Sequence, residues 1–218
     1  MSCAKNARRL ANYIKTLDNG TFLEERNSAF EHDHLGALLV EIILQSGLNF
    51  RTVVEPRVNK VLKEFPNATT TSDFNEIINE HTLGRIINWN DDVKISRILA
   101  VLDYFVLHDI ETCEDLKLYF QQYTNRSSFM VIKGIGPKTM DYLLKRLGYD
   151  TVAVDRHISG FLKLASIEVN GYEETKKIVE YAADFLEVSR SALDHSIWKL
   201  MSESSDHTRK NDQLVLEF

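Results

Sequence analysis

Between Val131 and Leu164 the chain reads Val-Ile-Lys-Gly-Ile-Gly-Pro-Lys-Thr-Met-Asp-Tyr-Leu-Leu-Lys-Arg-Leu-Gly, then Tyr-Asp-Thr-Val-Ala-Val-Asp-Arg-His-Ile-Ser-Gly-Phe-Leu-Lys-Leu. Gly134-Ile135-Gly136-Pro137 is a tight turn that opens a helix. Gly134 and Gly136 permit backbone angles with φ > 0 and a close approach by another chain. Ile135 is placed to plug the turn into a core. Pro137 suits the first helical position, where its missing N–H costs nothing. Met140, Leu143, Leu144 and Leu147 then recur as one apolar face over a helix of residues 138–147, and Gly148 supplies its stop. A glycine-rich turn at a helix N-terminus gathers free N–H groups into an anion site, most naturally for a phosphate.

The residues beyond the turn make the pattern more specific. Gly134-Ile135-Gly136-Pro137-Lys138 is followed by Val154-Asp155-Arg156-His157, the aspartate standing 17 positions after the lysine. This pairing resembles the helix-hairpin-helix motif of the endonuclease III-like DNA glycosylase superfamily, which includes the 8-oxoguanine DNA glycosylases. In that family a Gly-hydrophobic-Gly-x-Lys hairpin precedes a Val-Asp-x-His segment. Outside residues 131–160 the likeness is one of helical pattern rather than of motif.

The rest of the chain reads as all-α. Apolar residues at helical spacing predict helices over 5–18, 27–46, 51–64, 92–107, 113–123, 156–165, 173–187 and 190–203. The second is apolar enough to be the centre of a bundle, with Phe30, Leu35, Leu38, Leu39, Ile42 and Ile43. Thr71 and Ser72 are placed to cap a short helix through Asn79, and Thr112 to cap the one at 113. Ser127 or Ser128 starts the first arm of the hairpin. Val152-Ala153-Val154 is a short extended run with no strand of similar strength to pair with. The end, Leu214 to Phe218, is apolar enough to dock.

Composition places the chain among soluble globular proteins: 44% hydrophobic and 27% charged over 218 residues, with three prolines and nine glycines. No apolar run is long enough to span a membrane, and the N-terminus lacks the apolar core of a signal peptide. An intracellular location is expected, in the cytoplasm of a prokaryote or in a nucleus. Only Cys3 and Cys113 occur, so no disulfide framework, cysteine-based zinc site or four-thiolate iron–sulfur cluster can be built. Many endonuclease III-like proteins carry such a cluster near the C-terminus; this chain departs from them there. No metal site is expected. Glu31-His32-Asp33-His34 reads as a solvated helix start, because histidines two apart do not share a helix face.

The net charge is −6, unusual for a nucleic-acid binder. Its distribution matters more. Residues 126–163 hold seven basic side chains (Arg126, Lys133, Lys138, Lys145, Arg146, Arg156, Lys163) against three acidic ones (Asp141, Asp150, Asp155). The motif is a basic island in an acidic chain.

The resemblance implies two helical lobes: residues 28–149, ending in the hairpin, and residues 1–27 with 150–218, formed by both termini. It implies an active-site cleft between them, with Lys138 on one side and Asp155 on the other. It implies double-stranded DNA with a damaged or mismatched base as partner, and an activity that flips out and removes that base. A lysine amine can attack the sugar carbon to give a Schiff base, from which β-elimination cleaves the strand (AP lyase activity). A carboxylate can stabilise the cationic sugar or take a proton; Asp155 is equally suited to be an N-cap. Some relatives keep the lysine yet only remove the base. The alternatives therefore stay open: an alkylpurine glycosylase in which Asp155 activates water, or a helix-hairpin-helix module that only binds DNA.

The DNA contacts implied are Lys133, Gly134, Ile135, Gly136 and Thr139 at the hairpin, where a monovalent cation can bridge carbonyls. Gln45, Asn49 and Arg51, at the end of the central helix, are the candidates to fill the gap left by a flipped base. Trp89 is expected in the core rather than as a base-stacking platform. No cofactor is expected, and the chain is expected to act as a monomer.

Overall fold

The computed structural model describes residues 2–17, 23, 29–30 and 32–215, with side chains through 203. Among these residues every regular element is a helix: twelve α-helices and one π turn. They are α1 (Cys3–Leu17), α2 (Leu35–Leu44), the π turn (Phe50–Val54), α3 (Glu55–Glu64), α4 (Thr71–His81), α5 (Leu83–Ile86) and α6 (Asp92–Leu107). There follow α7 (Cys113–Tyr119), α8 (Tyr123–Phe129), α9 (Pro137–Arg146), α10 (Arg156–Leu164), α11 (Tyr172–Leu186) and α12 (Arg190–Val215). No described helix is long and apolar enough to cross a membrane. The chain divides into two compact units, Ala29–Leu147 and Met1–Ser28 with Gly148–Phe218.

In the continuous unit α2 is the axis. All ten of its residues are buried, and α3, α4, α6 and α9 pack around it. Each fully buried Leu or Ile contributes roughly 1.5–3 kcal/mol over an exposed one, so Leu38, Leu39, Ile42 and Ile43 make α2 the energetic centre. The helix begins eight residues later than its apolar pattern predicts. His34 is its N-cap, with Nδ1 accepting the Ala37 N–H at 3.2 Å. The preceding segment is held elsewhere: Phe30 N–H donates to the Arg146 carbonyl and Leu35 N–H to that of Thr69. Residues 27, 28 and 31 lie outside the described residues.

The hairpin's first arm is seated by aromatic rings. Phe129 of α8 packs on Phe105 of α6 and on Phe120, the C-cap of α7, with centroids 6.1 and 5.2 Å away. At the edge of this cluster the Tyr104 hydroxyl meets Tyr119 Oη at 2.8 Å and Ser128 Oγ at 2.6 Å. Burial pushes the Tyr104 phenol up to about 12.

Other boundaries shift for identifiable reasons. The cap of α4 is Thr70, not Thr71 or Ser72: Thr70 and Asp73 form a capping box. Thr71 Oγ1 instead donates to the Ile110 carbonyl and Ser72 Oγ to Glu111. Thr112 caps α7 with Asp115 as predicted. The helix expected at 51 starts as a π turn. Pro56, without an N–H, cannot close an α-helical bond back to Thr52. The arm before the hairpin begins at Tyr123 rather than at Ser127 or Ser128.

The second unit pairs α1 with α11 and α10 with α12. Ala7, Leu10, Ala11 and Ile14 are buried on α1; Ile178, Val179, Ala182 and Ala183 on α11. Small residues on both helices allow a close approach. Val152-Ala153-Val154 is extended but forms no strand. Side chains capture its N–H groups: Ala153 N–H donates to Asp194 Oδ2 at 2.8 Å and Val154 N–H to the Tyr172 hydroxyl at 3.3 Å. The last helix runs past the predicted 203 to Val215; residues 216–218 of the apolar end lie outside the described residues, as do 18–21, where the first helix was expected to stop.

Candidate functional site

The hairpin turn is built by three successive backbone bonds. Val131, Ile132 and Ile135 N–H groups donate to the carbonyls of Ser128, Phe129 and Ile132. Ile135 is buried and anchors the loop, while Val131 and Lys133 face solvent. The two glycines answer different needs. Gly134 has φ +90°, in the left-handed region where a side chain is strained. A Cβ there would also run into the guanidinium of Arg97. Gly136 has an ordinary φ of −112°, against the expectation from sequence. A Cβ on it would meet nothing within 4 Å among the described residues. Nothing among the described residues requires glycine at 136, whereas an outside group that must come close to the backbone would.

Gly136 is the N-cap of α9, and no side chain among the described residues caps this end. Pro137 has no N–H to satisfy. The N–H groups of Gly134, Gly136, Lys138 and Thr139 make no hydrogen bond among the described residues. Free donors at the positive end of a ten-residue helix form an anion site. Thr139 can add only its backbone to it, since the residue is buried, at 6% exposure. Lys138 is partly exposed, and its amine has no hydrogen bond or ion pair among the described residues.

Two further cations stand beside this turn, and neither was singled out from the sequence. Arg97 of α6 donates from Nε to the Lys133 carbonyl at 3.2 Å. Lys94, one turn earlier, donates from Nζ to the carbonyls of Ile43 and Ser46, both at 2.8 Å, and so ties off the C-terminal end of α2. Burial lowers the pKa of Lys94, the Arg97 charge lowers it further, and Lys138 adds to the effect. Both lie on a predicted helix, but only the fold brings residues 94–97 to residues 133–138.

The candidates after α2 lie in the same unit. Gln45 is the C-cap of α2, its Nε2 donating to the Ile42 carbonyl at 3.5 Å. Asn49 is exposed and caps the π turn, with Oδ1 accepting the Thr52 N–H at 3.0 Å. Arg51 is exposed. Trp89 is half-buried, with Arg57 over its ring at 4.8 Å, so that face is already occupied. His34 is buried rather than solvated, because both its nitrogens are used: Nε2 faces the Phe65 carbonyl at 3.0 Å. Burial lowers its pKa. Glu31 lies outside the described residues.

Asp155, in the other unit, is the N-cap of α10. Its Oδ1 accepts both the His157 N–H (2.8 Å) and the Ile158 N–H (3.0 Å). Oδ2 accepts none among the described residues, so the carboxylate is fixed by one oxygen and free at the other. Asp150 has a separate task, accepting the Ser191 N–H at the start of α12 at 2.9 Å.

A comparison with curated proteins finds no match. One similar solved structure is the crystal structure of H. pylori 3-methyladenine DNA glycosylase (MagIII) bound to 1,N6-ethenoadenine. It has a TM-score of 0.48 and 17% sequence identity over 95% of this chain and 99% of that one. A family model matches residues 51–202, well over half of the chain, and the chain therefore belongs to the family described as Domain of unknown function (DUF8548).

Proposed function

We propose that this protein is a DNA N-glycosylase of the helix-hairpin-helix superfamily that removes a damaged or mismatched base, with an associated lyase activity. The observation that carries the reading is the uncapped hairpin. Its free N–H groups, its open space at Gly136 and its unpaired lysine amine are what a phosphate grip with an adjacent nucleophile requires. The motif Val154-Asp155-Arg156-His157 supports it, with Asp155 held by one oxygen only.

In this reading the neutral Lys138 amine attacks C1′ of the flipped nucleotide, and the N-glycosidic bond breaks. The base leaves with the bonding electrons and gains a proton. Asp155 offsets the positive charge that develops on the sugar and accepts a proton. The C1′–O4′ bond of this adduct then breaks, O4′ taking a proton, to give the Schiff base; that loses a C2′ proton, and the C3′–O bond breaks to expel the 3′ phosphate. Gln45, Asn49 and Arg51 fill the vacated space in the duplex. The carbonyls of Gly134 and Ile135 accept no hydrogen bond among the described residues, so they fit a monovalent cation, which would add positive charge beside the phosphate.

Borohydride trapping on duplexes, each carrying one oxidised, alkylated, mismatched or abasic site, tests this reading. A covalent adduct with the wild type that disappears in Lys138→Ala is expected. Base release without an adduct moves the assignment to an Asp155-activated water. Duplex binding with neither outcome leaves a binding module.

A further inference from the structure

We infer that Arg97 is a second phosphate ligand of the hairpin, contacting the backbone of the DNA strand that the Gly134–Thr139 turn holds. The inference rests on the reading above and adds to it a residue from another helix, 36 positions before Lys133.

Arg97 is half-buried on α6, which is anchored by the buried Ile98, Val101, Leu102 and Phe105. Its backbone is therefore fixed. Its guanidinium rests against Gly134 in the space a Cβ would fill. Nε donates to the Lys133 carbonyl, which orients the planar fork. A guanidinium carries five N–H donors. One is used, and the four on Nη1 and Nη2 make no hydrogen bond or ion pair among the described residues. A fork held rigid at one edge and open at the other is the geometry in which arginine binds phosphate in a bidentate manner.

The charge around it points the same way. Arg97 acts electrostatically on Lys94, as do Lys138 and a single carboxylate, Asp91. Asp91 is already committed to the N–H groups of Val93 and Lys94 at the start of α6. Two cations and one carboxylate thus act on Lys94, in a protein of net charge −6. Like charges gathered this way repel one another, and an anion relieves the repulsion. The bound phosphate is that anion.

The test is DNA binding as a function of salt. Anisotropy of a labelled duplex carrying a stable abasic-site analogue is followed over roughly 50–200 mM KCl for the wild type, Arg97→Gln, Arg97→Met and Arg97→Lys. Gln and Met both fill the space over Gly134 without charge, so a folding failure of one leaves the other. Each lost phosphate contact should reduce the slope of log K against log salt by about 0.9 and weaken binding evenly across sequences. The neutral variants should show that loss with melting temperatures near the wild type's, and Arg97→Lys should recover most of the slope. Wild-type slope in the folded neutral variants overturns the assignment and leaves the glycosylase reading standing. A wild type that binds no duplex overturns both.

Discussion

Arg146, in the last turn of α9, reaches Glu41 in the middle of α2: Nε lies 2.7 Å from Oε1 and Nη2 3.3 Å from Oε2. Glu41 is 3% exposed, and the Tyr142 hydroxyl donates to the same Oε1 at 2.7 Å. Two residues of α9, one turn apart, therefore converge on one buried carboxylate. This contact fixes the helix that carries Lys138 against the centre of its unit. Removing one partner of a buried pair leaves the other charge uncompensated. Glu41→Ala should cost about 3–5 kcal/mol in urea unfolding, and a Glu41→Leu/Arg146→Met double variant should recover most of it. Additive losses in the double variant would argue against the pair.

Gly134 and Gly136 should respond oppositely to alanine. Gly134→Ala puts a side chain at φ +90° and displaces Arg97, so it should lose at least about 1–2 kcal/mol of stability. Gly136→Ala should stay within about 0.5 kcal/mol of the wild type yet bind duplex DNA much more weakly. Thermal melts beside anisotropy separate the two. Unchanged binding by a folded Gly136→Ala would remove the hairpin from the interface.

Asp155 combines a cap with a charge, and two substitutions divide them. Asp155→Asn keeps an oxygen for the His157 and Ile158 N–H groups and should melt close to the wild type. Asp155→Ala should lose about 1 kcal/mol. Both should slow single-turnover base release by roughly 10²–10⁴. Equal activity in Asn and wild type would reduce Asp155 to a cap.

His34 should make the continuous unit acid-sensitive. Its folded-state pKa is lowered from 6.5, chiefly by burial, against backbone hydrogen bonds, that to Phe65 foremost, which raise it; neighbouring His32 lowers it and Asp33 raises it. The unfolded chain therefore takes up the proton first as pH falls, and stability rises with pH wherever the unfolded state binds more protons. The contribution of neutral His34 is complete above pH 6.5. It declines below that and stops declining once the folded form is itself protonated. Protonation would remove the Nδ1 acceptor from Ala37. Urea unfolding of wild type against His34→Asn, which keeps a cap, should show a difference that grows from pH 7 to pH 5; parallel curves would exclude it.

Legibility in the sequence followed the range of the interactions concerned. Asp92–Leu107 matches the predicted helix to the residue, because its Asp91 cap, apolar period and following turn are all local. Gly134, Pro137 and Gly148 marked the hairpin for the same reason. The start of α2 was misplaced because Phe30 continues the apolar pattern, while its N–H is claimed by Arg146, more than a hundred residues on. Thr70, Thr71 and Ser72 are all good caps, and only the distant Ile110 and Glu111 decide which one acts. Arg97 carried no local signal at all. Its significance lies in a glycine on another helix–turn unit that leaves it room.

The pairing of α1 with α11 orders the events of synthesis. Residues 29–147 form an uninterrupted stretch, and every helix they pack together is available once Leu147 has emerged. The first helix has no such partner nearby. About 150 residues separate Leu17 from Tyr172, and at about 5–20 residues per second the ribosome needs roughly 8–30 s to supply them. For that interval the apolar stripe of Ala7, Leu10, Ala11 and Ile14 lacks the helix against which it packs. A helix made before the whole continuous unit is thus completed only by one made after it.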